Sequence, residues 1–163
     1  MDSLSHYLTT NIPDYIFITA FLLMALAVVG CIAMRSSMRW LPRIINMGYI
    51  FLVLCSTVFF RNTYSPDVKI MLVPFWNYAE VFSFKDLLDS WEVILNVMMF
   101  IPIGLLTSVS FKRVRWFHIL FVGVILSTSI ETLQYILQRG LCETNDVIHN
   151  ALGALLGYVI CRS

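Results

Sequence analysis

WFHILFVGVILSTSIETLQYIL, residues 116–137, carries a single Asp, Glu, Lys or Arg side chain, Glu131. About 20 apolar residues suffice to cross a ~30 Å hydrocarbon layer as a helix rising ~1.5 Å per residue. A carboxyl group near the centre of a bilayer costs at least ~2.5 kcal/mol, so it faces a bundle interior or a wet cavity. Gln134 and Gln138 follow Glu131 at i+3 and i+7, on the same helical face. The stretch therefore reads as a membrane helix with a polar stripe near one end. A stripe of that kind requires neighbours.

The flanking sequence supplies them. Residues 15–34 and 44–60 are uncharged apolar runs, and residues 93–111 form another, interrupted by Asn96, Pro102 and Gly104. Residues 147–161 form the shortest run, strictly apolar only from Ala151 onward. The composition agrees: 59% hydrophobic and 13% charged, against about 25% charged in soluble domains. The expected fold class is all-α, a polytopic membrane helix bundle of about five transmembrane helices plus a short interfacial helix. The expected domain organisation is an extracytoplasmic tail over residues 1–14 and one transmembrane bundle over 15–163.

The interfacial helix is expected before the third span. Residues 71–78, MLVPFWNY, set proline among aromatics, a composition suited to the membrane–water boundary. Ser83 to Asp86 resembles a capping box. Phe84, Leu87, Leu88 and Trp91 then take one helical face, with Lys85, Asp86, Asp89 and Glu92 on the other.

Charge placement orients the bundle. Arg35, Arg39 and Arg43 follow the first run, Lys112, Arg113 and Arg115 follow the third, and Arg162 follows the fifth. Those positions are expected to face the cytoplasm. The N-terminus and the loops 61–90 and 138–146 are expected outside. No basic stretch precedes the first run, and that run exceeds the core of a cleavable signal, so it is expected to stay as a helix. A net charge of +1 without a basic stripe argues against a nucleic-acid partner. Cys31, Cys55, Cys142 and Cys161 lack metal-ligand spacing, so neither a disulfide nor a metal is expected.

The functional expectation rests on polar groups in the last three runs. Asp146, His149, Asn150, Gly153 and Gly157 share a face at i, i+3, i+4, i+7 and i+11. Gly153 and Gly157 form GxxxG, which lets another helix approach closely, so the packed face carries Asp146 and Asn150. Asn96, Phe100 and Gly104 line a face of the third run, and Pro102 frees the Met98 carbonyl. Asn96, Glu131, Gln134, Arg139, Asp146 and Asn150 are the candidate binding residues. Phe100, Pro102, Gly104, Gly153 and Gly157 are candidate packing residues. Arg139 is the cation expected to pair with Glu131 or Asp146. The bland reading is that these groups are interhelical glue. A metal site from Glu131, Asp146 and His149 is a weaker alternative, and no cofactor is expected. No nucleophile motif or phosphate loop is present.

NVMMFIPIG at 96–104, ETLQ at 131–134 and RGLCETNDVIHNALGALLG at 139–157 resemble the VanZ-like family of bacterial membrane proteins. The matching pattern is an Asn followed by F-x-P-x-G, then E-x-x-Q, then an Arg followed by D-x-x-x-N-x-x-G-x-x-x-G, met by Asn96, Phe100, Pro102, Gly104, Glu131, Gln134, Arg139, Asp146, Asn150, Gly153 and Gly157. Val73-Pro74-Phe75 also looks like the family's Pro-Phe segment, and the resemblance covers roughly residues 45–160. It implies a multi-pass protein of the bacterial plasma membrane, in a family associated with reduced susceptibility to the lipoglycopeptide teicoplanin. It implies no particular reaction.

Two function classes follow. In the first, an outer polar pocket with aromatic walls binds an amphiphile, either a lipoglycopeptide or an envelope lipid. In the second, a membrane enzyme modifies an envelope lipid or its precursor with Glu131 as acid or base. The first is the main expectation. A packing or regulatory subunit is a third reading, and transport is disfavoured because no inverted repeat is present.

Overall fold

A computed structural model describes residues 24, 25, 28, 40–59, 70–71, 87–111, 113–138 and 142–163. The chain divides into two compact units, Met1–Ser37 and Met38–Ser163. In the first, Met24, Ala25 and Val28 are helical; the remainder of the expected span at 15–34 and the tail 1–14 lie outside the described residues.

The described part of the second unit is nearly all helical. Helix α1, Leu41–Leu54, has Pro42 in its first turn, where a missing N–H costs nothing. It passes into a π-helical turn, Cys55–Phe59, where the Ser56 and Thr57 hydroxyls both donate to the Val53 carbonyl at 2.8 Å. Helix α2, Leu87–Ser110, runs without interruption through Pro102. The described part of the expected amphipathic segment, from Leu87, is thus continuous with the third apolar run; residues 72–86 lie outside the described residues. Helices α3, Trp116–Ile136, and α4, Thr144–Arg162, complete the unit. A two-residue parallel pair joins β1 (Ile70–Met71) to β2 (Cys142–Glu143), just before α4.

Cross-contacts give the helix directions. Arg43, Asn46 and Tyr49 of α1 bond progressively earlier positions of α2, namely Ser110, Thr107 and Met99, so the two helices are antiparallel. Val97 and Ile101 of α2 meet Gly153 and Gly157 of α4 in the same order, so these two run parallel. Ser127 and Glu131 of α3 meet Asn150 and Glu143, an antiparallel arrangement. Successive helices therefore alternate in direction, and α4 packs on α2 along one flank and α3 along the other.

The α2–α4 seam has no room for side chains at its closest points. A Cβ on Gly104 would collide with the Ala154 carbonyl oxygen, one on Gly153 with that of Val97, and one on Gly157 with that of Ile101. Phe100 and Pro102 are buried on the same helix. The five residues read as packing positions all lie inside the bundle.

Polarity is arranged inside out for water. Asn46, Thr107, Ser127, Glu131, Gln134, His149 and Asn150 are buried, while Met47, Phe51, Phe121, Ile136 and Val159 are exposed. An apolar surface of that extent marks contact with lipid or another protein. Among the described residues, three helical stretches are long and apolar enough to cross a membrane: Leu41–Val58, Val93–Ser110 and Trp116–Ile136. Helix α4 is not among them, because Thr144, Asn145, Asp146, His149 and Asn150 dilute its first turns.

Candidate functional site

Alternating helix directions bring the end of α1, the start of α2, the end of α3 and the start of α4 to one end of the bundle. The polar residues of the last three helices meet there. Asn96 Nδ2 on α2 donates to Asp146 Oδ1 on α4 at 2.8 Å. The backbone N–H of Glu143 donates to Glu131 Oε2 at 2.9 Å. Asn150 Nδ2 donates to Ser127 Oγ on α3 at 2.8 Å. Gln134 Nε2 donates to the Thr57 carbonyl at 2.9 Å, in the π turn that ends α1. A helix terminus leaves carbonyls without intrahelical partners, and a glutamine amide takes this one.

Each residue is placed by local spacing. Ser127, Glu131 and Gln134 stand at i, i+4 and i+7 on α3, so one face turns them all inward, and all three are buried. On α4, Asn145, His149 and Asn150 are buried and Asp146 half-buried, on the flanks that Gly153 holds against α2. Gln138 is exposed at φ 53°, the left-handed geometry common after a helix end. Cys142 lies in β2, just before α4. Burial, then the negative fields of Glu131 and Asp146, pushes its thiol above the usual cysteine range.

Among the described residues, the buried Oδ1 atoms of Asn46 and Asn150 both lack a hydrogen-bond partner, and the second lies in this layer. Asn150 is 3% exposed, and its Oδ1 has no hydrogen-bond partner among the described residues. Buried polar atoms are nearly always bonded, and an exception calls for a cause such as a ligand or water. Of the expected site residues, Asn96 and Asp146 meet directly, and Glu131, Gln134 and Asn150 lie at the same end through separate partners. Arg139 lies outside the described residues. Sequence reasoning missed Ser127 and Thr57. Ser127 was signalled by its four-residue spacing from Glu131; the Thr57 carbonyl carried no side-chain signal.

A second polar layer, also not anticipated, joins α1 to α2. Asn46 Nδ2 donates to Thr107 Oγ1 at 3.1 Å, and the Tyr49 hydroxyl to the Met99 carbonyl at 2.9 Å. These side chains tie α1 to the helix that carries Asn96.

Apolar helices packed through glycines around a buried polar layer define a helical membrane protein. The VanZ/LLP1 family matches residues 46–163, from within α1 to the last residue, and the chain belongs to that family. It is 39% identical over 66 residues to Protein VanZ of Enterococcus faecium, a match covering 40% of this chain and 41% of that protein. The chain thus spans about two fifths of that relative's length. No solved structure matches the chain.

Proposed function

We propose that the buried polar layer between α2, α3 and α4 binds the polar end of an amphiphile at the outer membrane boundary, and thereby lowers susceptibility to lipoglycopeptide antibiotics such as teicoplanin. The unmet Oδ1 of Asn150 carries this reading. It is an acceptor buried in the bundle, suited to a hydroxyl or amide N–H of the ligand. Asp146 and Glu131 stand beside it as further acceptors. The similarity to Protein VanZ supports the resistance role. In this reading the chain is a multi-pass protein of the bacterial plasma membrane with about five spans. Its N-terminus and the 138–146 loop face outward, and its C-terminus faces the cytoplasm. Arg139 would complete the site beside the carboxylates.

Three variants test the proposal in a susceptible host, with membrane expression checked by immunoblot. Ser127→Ala removes the α3–α4 hydrogen bond but keeps the Asn150 acceptor, whereas Asn150→Ala removes both. A neutral hydrogen bond is worth about 1 kcal/mol, so Asn150→Ala is expected to cut teicoplanin protection about fivefold or more. Ser127→Ala is expected to keep most of it. Equal losses in both reduce the layer to helix packing, and full protection in Asn150→Ala ends the binding reading.

The burial of Glu131 at 4% exposure favours one alternative, an enzyme that modifies an envelope lipid with this carboxyl as acid or base. Glu131→Gln preserves shape and cannot transfer a proton. Loss of protection together with a changed lipid profile in that variant supports the enzyme; retained protection supports binding.

A further inference from the structure

At the opposite end of the bundle lies a concavity of about 630 Å³ lined by Arg113, Arg115, Phe117, His118, Tyr158 and Arg162. Among the described residues, no carboxylate lines it. Arg162 is held in place: its Nη2 donates to the Val114 carbonyl at 2.7 Å, and its guanidinium sits 5.3 Å from the centre of the Tyr158 ring. That contact fixes a long side chain before any ligand arrives. His118 Nδ1 accepts the Arg115 N–H at 3.1 Å, so the neutral ring carries its proton on Nε2, as a donor. His118 also stacks on Phe117, with ring centroids 4.1 Å apart. The first turn of α3 begins at the same place.

We infer that this concavity is a binding site for the phosphate headgroup of an anionic membrane lipid. Three guanidiniums line it with no carboxylate among the described residues, and the His118 ring N–H adds a donor of the same sense. Like charges gathered in this way repel until an anion joins them, and guanidinium matches phosphate in a two-pronged geometry. The volume lies in the ordinary range for a small-molecule site. The surroundings select a lipid over free phosphate. Trp116 and Phe121, on the helix that opens beside the cavity, are 57% and 66% exposed, and Val159 and Ile160 on α4 are also exposed. Acyl chains have an apolar surface to lie along, next to the charged cluster. Basic pockets between membrane helices bind lipid phosphates in this way. The inference is independent of the Asn150 site, which lies at the other end of the helices.

Native mass spectrometry of the full chain, delipidated in a mild detergent and titrated with phosphatidylglycerol or phosphatidylcholine, tests it. The wild type is expected to retain phosphatidylglycerol in preference to phosphatidylcholine. The double variant Arg113→Gln, Arg115→Gln, which leaves the Arg162 tie intact, is expected to bind it roughly tenfold more weakly. A double variant with lysine at the two positions keeps the charge but loses the two-pronged donors, and is expected to bind between the wild type and the glutamine variant. Equal retention of the two lipids by the wild type, or undiminished binding in the glutamine variant, overturns the inference. Displacement of the lipid by millimolar inorganic phosphate assigns the cavity to a soluble anion and overturns it as well.

Discussion

Glu131 sits in the last turns of an apolar helix and is 4% exposed, with Oε2 bonded to the backbone N–H of Glu143. A backbone donor stabilises a carboxylate without placing a second charge in the interior. The neighbouring Cys142 reports on this environment. Its thiol is raised by burial first and by the fields of Glu131 and Asp146 next. A raised thiol pKa means less thiolate at a given pH, and only thiolate reacts with maleimide. In a variant whose other cysteines are serine, the labelling rate should therefore rise at higher pH than for an exposed cysteine. Adding Glu131→Gln removes one of the negative fields and should shift that profile down in pH. A profile that stays in place would separate the carboxylate from the thiol.

The seam between α2 and α4 positions Asn96 against Asp146, and its glycines are what allow the approach. Overpacking a close-packed contact costs about 1–3 kcal/mol. Gly104→Ala and Gly157→Ala each force a methyl into a carbonyl oxygen of the facing helix. Both should lower the unfolding free energy in detergent by that order. Gly48 on α1 has open space around it, so Gly48→Ala should be neutral or stabilising by up to about 1 kcal/mol through helix propensity. Equal effects at all three positions would mean that the seam is not tightly packed. The GxxxG spacing was legible because a four-residue interval marks one face of a helix wherever that helix goes. That Gly104 would join it from α2 was readable only as a residue type, since nothing local states which helix it faces.

Across the molecule, alternating helix directions separate a polar end from a basic one. The β1–β2 pair holds residues 70–71 and 142–143 at the same end. Helix α4 has 19 residues, so it is ~28 Å long, close to the thickness of a hydrocarbon core. Its two native cysteines flank it and test whether it spans. In intact cells carrying single-cysteine variants, Cys142 should react with a membrane-impermeant maleimide, and Cys161 only after permeabilisation. Labelling of both from outside would place the two ends of α4 on one side, and the proposed topology would fall. The polar start of α4 weakens its apolar signal, and the same residues supply part of the site. The segment hardest to read as a span is the one that brings Asp146 and Asn150 into the bundle.

Composition and spacing alone determined that the chain forms apolar helices, that Glu131 and Gln134 share a face, and that Gly153 and Gly157 mark a close contact. Each of these properties lies within one helix, where a fixed 3.6-residue turn converts sequence interval into direction. Only the tertiary structure decided which group answers which: Glu131 to the Glu143 backbone, Asn96 to Asp146, Asn150 to Ser127, Gln134 to the Thr57 carbonyl. Such pairings depend on the relative depth and rotation of separate helices. Those are set by the packing of whole surfaces, and no interval along the chain encodes them.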